Sequence, residues 1–137
     1  LFGEPNQVKY TANMERGIDT SGILTMDYSG FKAVSIAAKD CAAPARYIIQ
    51  GTKGYIMQKS TANCCGGITF HPNEGKEEHY NLNGGRPREA AEFETFARAM
   101  ESGDQELCTR MQDTSIAVSR VLTVARRSAG IRFPGER

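Results

Sequence analysis

The chain has 137 residues, 39% hydrophobic and 24% charged, which is one globular domain by size and excludes a disordered or low-complexity segment. Seventeen basic against 16 acidic side chains leave a net charge of +1, so there is neither a basic field for nucleic acid nor an acidic tail. No apolar run approaches the roughly 20 residues that span a bilayer, and four cysteines without a CxxC spacing read as the reduced thiols of a cytoplasmic protein.

The first two thirds of the chain read as strands. Residues 8–14 form an extended segment after Gly3-Glu4-Pro5-Asn6. Ser29-Gly30 is a two-residue hairpin turn between the runs 22–28 and 31–39. Pairing Tyr28 with Phe31 sets Asp27 against Lys32, Thr25 against Val34 and Ile23 against Ile36, with opposite charges beside the turn. Ile23, Val34 and Ile36 then share one face, and Leu24, Met26, Tyr28 and Phe31 the other. Ile48-Ile49 and Tyr55-Ile56-Met57 flank the turn Gly51-Thr52-Lys53-Gly54 and are also apolar on both faces. A sheet with one wet face alternates more cleanly, so both faces are expected to be covered. Residues 66–71 and 77–82 are two further candidate strands, joined by Pro72-Asn73-Glu74-Gly75.

Helices begin after Gly84-Gly85. Pro87 suits a first helical turn, where a missing N–H costs nothing. Phe93, Phe96, Ala97 and Met100 recur at helical spacing up to Ser102-Gly103. Asp104 caps a second helix running to about Ala129, with Asp113-Thr114 as a possible restart inside it and Gly130 as its stop. Ile131 to Pro134 reads as a short strand. The expected fold is α+β: a large, mostly antiparallel open sheet with both helical segments on one face. Phe93, Phe96, Val118, Val121 and Leu122 are expected to point at the sheet.

Three polar groups are candidates for binding. Arg86 and Arg88 stand before a helix N-terminus, where guanidinium groups and backbone N–H groups can hold an anion. Lys39, at a strand end, can line a substrate cleft. Set against these, the arginines can simply pair with Glu89 and Glu92. His71 and His79 can approach each other across a turn and, with Cys64 or Cys65, have the composition of a zinc set, but hairpin histidines are ordinarily surface residues and no metal is expected. Gly51 and Gly54 are turn residues, because a strand and not a helix follows them.

Leu1-Phe2-Gly3-Glu4-Pro5-Asn6-Gln7-Val8, Ile49-Gln50-Gly51-Thr52-Lys53-Gly54-Tyr55-Ile56, residues 93–103 and residues 119–134 follow one another in an order and spacing that resembles the C-terminal domain of the Gfo/Idh/MocA family of NAD(P)-dependent oxidoreductases. The resemblance implies that residues 1–137 are the substrate-binding and oligomerisation domain of an enzyme acting on a sugar, polyol or related hydroxy compound. It implies an N-terminal Rossmann domain outside this sequence, which would supply the lysine, the histidine and the NAD or NADP site. No GxGxxG turn and no E-K-P segment occurs here, so no catalytic or cofactor-binding residue carries over and the isolated chain is expected to be inactive. It also implies a homo-oligomer formed through the open sheet face, with neither nucleic acid nor membrane as partner. The alternative is a standalone α+β binding or assembly module without enzymatic activity.

Overall fold

The computed structural model describes residues 2–61, 63–81 and 83–136. It is an α+β structure with antiparallel sheets: β1 (Gln7–Glu15), β2 (Ile18–Tyr28), β3 (Phe31–Ala38), β4 (Tyr47–Gly51), β5 (Gly54–Gln58), β6 (Ile68–Pro72), β7 (Glu78–Tyr80), α1 (Ala90–Ser102) and α2 (Gln105–Ser128). The strands form a three-stranded sheet, β1-β2-β3, and a four-stranded sheet, β4-β5-β6-β7. Two compact units result, one of Leu1–Ala42 with Asp104–Arg137 and one of Ala43–Gly103.

In the first unit the β2–β3 register is the expected one, with Tyr28 opposite Phe31, Asp27 opposite Lys32 and Ile23 opposite Ile36. The Asp27–Lys32 ion pair closes beside the turn, and the Tyr28 and Phe31 rings stack at 4.5 Å. A second hairpin joins β1 to β2 through Arg16-Gly17, both with positive φ (52° and 81°), the type I′ geometry that matches strand twist. Val8, Tyr10 and Ala12 of β1 therefore face the same way as Gly22, Leu24 and Met26 of β2 and Ala33, Ser35 and Ala37 of β3. Most of these side chains are small, so a helix can lie close. A Cβ at Gly22 would come within 2.6 Å of the Tyr10 ring, so Tyr10 lies flat over the glycine.

That helix is α2, which packs along β1. Asp104 caps it, its carboxylate accepting the Leu107 N–H at 2.9 Å. It runs unbroken through Asp113-Thr114. Gly130 (φ 77°) ends it, with the Ile131 N–H returning to the Arg126 carbonyl at 3.1 Å in a Schellman closure. The expected sheet-facing set is shifted by one residue. Ala125 is 5% exposed and Val121 is half-buried, whereas Val118 and Leu122 stay exposed. The shallow sheet face lets alanine approach most closely and leaves the larger Val118 and Leu122 less covered. Ser128 completes the contact, its Oγ accepting the Tyr10 N–H of the edge strand at 2.8 Å.

Residues 131–134 form no strand. Arg126 holds them as an irregular return: its guanidinium donates to the Ile131 carbonyl (3.0 Å) and to both Glu136 oxygens (2.6 and 2.5 Å), and lies 4.0 Å over the Phe133 ring. The Arg126 hydrogen bond, with that of the Phe133 N–H, draws the Glu136 carboxyl from 4.5 down to about 2. A depressed carboxylate stabilises the folded state above its unfolded pKa, and this contribution disappears as pH falls through the folded one. We expect Glu136→Gln to melt below the parent at pH 7 and the gap to close as pH is lowered from about 4.5 to about 2. Parallel melting curves over that range are the check, and a gap that stays constant would show that the charge of Glu136 contributes nothing to it.

In the second unit, β4 and β5 form the expected hairpin, Gly51 pairing with Gly54. The strand pairing continues through β6 and β7, and β7 ends at Tyr80; Leu82, the last residue of the strand expected there, lies outside the described residues. Buried Gln58 organises the segment after β5, its amide donating to the Ser60 hydroxyl (3.0 Å) and the Thr61 carbonyl (2.8 Å). α1 starts at Ala90, three residues after Pro87, with Glu89 as an N-cap that makes no side-chain bond. Its apolar stripe is turned outward: Phe93 is 69% and Met100 83% exposed, and Phe96 is exposed as well. The stripe read correctly as amphipathic, but periodicity does not name the surface a stripe will meet.

Candidate functional site

The second unit carries a cleft of about 730 Å³ between the loop after β5 and the segment leading into α1. Cys64, Cys65, Gly66 and Gly67 form one wall, and Tyr80, Asn81, Asn83, Arg86 and Arg88 contribute to the other. The loop wall is a hydrogen-bonded structure. The Thr61 carbonyl accepts from Gln58 and from the Cys64 N–H (3.0 Å), and the Cys64 carbonyl accepts from the Ser60 hydroxyl (2.6 Å) and the Gly66 N–H (3.1 Å). On the other side the Asn81 side-chain oxygen accepts the N–H groups of Asn83 and Gly84 at 3.1 and 3.2 Å. Arg86 is paired with Glu94, and Arg88 with Glu89. The Glu94 hydrogen bond raises Arg86 above its ordinary pKa and lowers Glu94. A guanidinium has five donors and one carboxylate takes two at most, so both arginines keep N–H edges for a ligand.

The expected site residues thus separate. Arg86 and Arg88 line this one cleft, whereas Lys39 belongs to the first unit. There its ammonium donates to the Asp19 carbonyl (2.9 Å) and approaches the Asp19 carboxylate (3.4 Å). Asp19 also accepts the Tyr10 hydroxyl at 2.9 Å. That hydrogen bond, with the charge of Lys39, holds the Asp19 carboxyl below its usual value, while burial and the neighbouring carboxylate raise the Tyr10 phenol. Tyr10 and Asp19 are on the wall of a largely apolar cavity of about 840 Å³ between α2 and the inner sheet face, with Leu24, Leu122 and Phe133 among its other walls. This cavity suits a ligand with an apolar body and one hydrogen-bonding end.

His71 and His79 each have a partner other than one another. His71 Nδ1 meets Glu77 Oε1 at 2.7 Å and its ring stacks on Tyr55 at 4.3 Å; His79 Nδ1 lies 3.0 Å from the Thr69 hydroxyl. Among the described residues no group of three or more His, Cys, Asp and Glu side chains is placed to hold a metal ion, and no helix is long and apolar enough to cross a membrane. The fit to a dinucleotide is poor. The glycines of β4–β5 lead into a strand, and the N-cap and first turn of α1 carry Glu89 and Glu92, whose charge opposes a pyrophosphate.

Sequence reasoning missed Tyr10, Asp19 and Gln58. A tyrosine opposite a glycine-flanked strand was a weak signal for the first, and nothing local marks the other two.

No family model matches the chain. Along nearly its whole length it is similar to the scyllo-inositol 2-dehydrogenase (NADP(+)) IolU of Bacillus subtilis (strain 168), with 26% identity over 137 residues that cover 99% of this chain and 42% of that protein. It is also similar to the uncharacterized oxidoreductase YgjR of Escherichia coli (strain K12), with 28% identity over 141 residues covering 99% and 41% respectively. The chain therefore spans about two fifths of the length of the curated relatives it matches.

Proposed function

We propose that this chain is the substrate-side and assembly domain of a nicotinamide-dependent oxidoreductase of the Gfo/Idh/MocA type, acting on a sugar, polyol or related hydroxy compound. The observation that carries the reading is the end-to-end similarity to a dehydrogenase of more than twice the length. A separate nucleotide-binding domain would account for the difference in length and for the missing GxGxxG turn in this sequence. When bound in that domain, the nicotinamide would accept or donate the hydride. This chain contributes the polar wall formed by Asn81, Asn83, Arg86 and Arg88, suited to hydrogen-bonding substrate hydroxyls.

Assembly is the other half of the proposal. Each compact unit, counted as a free-standing folded body, would bring the total accessible surface to about 8,500 Å² by the usual size scaling, but the chain exposes 11023 Å². Ile23, Val34 and Ile36 lie together on the sheet face turned away from α2. A second copy presenting the same face would cover them, and a twofold dimer is the commonest closed arrangement.

The test is calorimetric and enzymatic. The protein at its natural length is expected to bind NADP+ or NAD+ and to reduce it with an inositol or a related polyol, whereas the 137-residue chain binds neither dinucleotide tightly. Micromolar binding by the short chain, or no binding by the natural-length protein, would remove the oxidoreductase reading and leave a binding module.

A further inference from the structure

We propose that the adjacent thiols Cys64 and Cys65 are a thiol-exchange site for an anionic, low-molecular-weight disulfide of the glutathione class. Both cysteines are free and exposed. They share one cleft with the guanidinium groups of Arg86 and Arg88, while Glu89 and Glu94, which pair with those arginines, are not among its walls. Cys41 and Cys108 are free and exposed too, but neither belongs to this cleft's wall. What distinguishes the pair is its setting: a loop held by the bond from buried Gln58 to the Thr61 carbonyl and by the turn bond from the Gly66 N–H to the Cys64 carbonyl, in one cleft with two guanidinium groups that are each paired with a glutamate.

The chemistry balances with no further reagent. A thiolate of the pair attacks one sulfur of the disulfide RSSR, a protein–S–SR bond forms as the RS–SR bond breaks, and the departing RS⁻ takes up the proton that the attacking thiol released. The protein sulfur is oxidised and the departing sulfur is reduced. The carboxylates of the retained R group then lie within reach of Arg86 and Arg88 as charge-assisted hydrogen-bond acceptors. Closure to a Cys64–Cys65 disulfide is disfavoured. Cα atoms of neighbouring residues stand about 3.8 Å apart across a trans peptide, below the roughly 4.4 Å at which unstrained disulfides begin. The mixed disulfide is therefore the product that accumulates, a reversible cap on the cleft. The exchange needs only the thiols and the guanidinium groups and does not rest on the oxidoreductase reading.

The experiment treats the natural-length protein with oxidised glutathione and, separately, with the neutral 2-hydroxyethyl disulfide, and follows each cysteine by peptide mass spectrometry. Oxidised glutathione is expected to add one glutathionyl group at Cys64 or Cys65 ahead of Cys41 and Cys108. The R86Q/R88Q variant should slow that addition about tenfold, the scale of electrostatic steering, and leave the rate with the neutral disulfide unchanged within about twofold. The neutral reagent thus also reports whether the loop is intact in the variant. Equal modification of all four cysteines would overturn the proposal. So would a variant in which the two reagents slow equally or not at all, and so would a product that is only the Cys64–Cys65 disulfide.

Discussion

The proposed dimer of the natural-length protein is expected to fall to a monomer at micromolar concentration when Val34 and Ile36 are together replaced with glutamate. Val34 is 59% and Ile36 75% exposed, and the strand register sets Ile36 directly beside Ile23. α2 occupies the opposite face of this sheet, so the substitutions leave the packing of Tyr10, Leu24 and Ala125 untouched. On a covered twofold face each lost apolar anchor costs about 1–2 kcal/mol, and a buried carboxylate placed against its own copy adds to that. The dimer should weaken by roughly a hundredfold or more. Sedimentation equilibrium of parent and variant decides the matter. A parent that sediments as a monomer ends the proposal, and a variant that remains a dimer moves the interface to another surface.

The β2–β3 hairpin was legible because three local signals agree. Ser29-Gly30 is turn chemistry, Asp27 and Lys32 attract across it, and the apolar residues alternate on either side. The β1–β2 hairpin was not legible, because its turn puts Arg16 at a positive φ that arginine does not advertise. That omission hid more than a boundary. Residues 18–21 belong to β2 only once the turn is recognised, and they carry Asp19, the partner of both Tyr10 and Lys39. Lys39 could be placed at a strand end from sequence, but the network that occupies it could not.

The helices show a different limit. α2 has several apolar rows, and hydropathy favours the bulky one containing Val118 and Leu122. The sheet presents Ala12, Gly22, Ala33, Ser35 and Ala37, a surface so shallow that the alanine-bearing row docks closer. The choice is a matter of fit between two surfaces, and fit is absent from either pattern read alone. Arg126 is a similar case. It stands in the last helical turn, where a cation complements the helix dipole, but its bonds run to Ile131 and Glu136 on a chain return that has no period to read. In the cleft of the second unit, the turn residues around Gly84-Gly85 and the arginines were visible in sequence. The opposite wall was not, because the bond that fixes it comes from Gln58, a polar side chain in an otherwise apolar strand, which sequence alone assigns to solvent.

Gly54→Ala is expected to destabilise the unit Ala43–Gly103 by about 3 kcal/mol or more, through combined backbone strain and overpacking. Gly54 opens β5 and is paired on both sides, with Gly51 on β4 and Pro72 on β6. Its φ of +145° is one that side-chain-bearing residues rarely adopt. A Cβ there would stand 2.7 Å from the Pro72 Cα and would collide with the His71 carbonyl oxygen. Both obstacles are backbone, so no rotamer change relieves them, and the proline ring stiffens the strand that would have to move. Displacing β6 also pulls His71 from its stack on Tyr55 and from Glu77. Gly51, its partner across the turn, is the control: a Cβ there meets only the Gly54 carbonyl oxygen, at an ordinary 3.5 Å. Gly51→Ala should therefore cost less than about 1 kcal/mol, like most substitutions away from strained or packed sites. Urea denaturation of the two variants measures the difference, and a Gly54→Ala protein no less stable than Gly51→Ala would mean that β5 and β6 do not approach in this register.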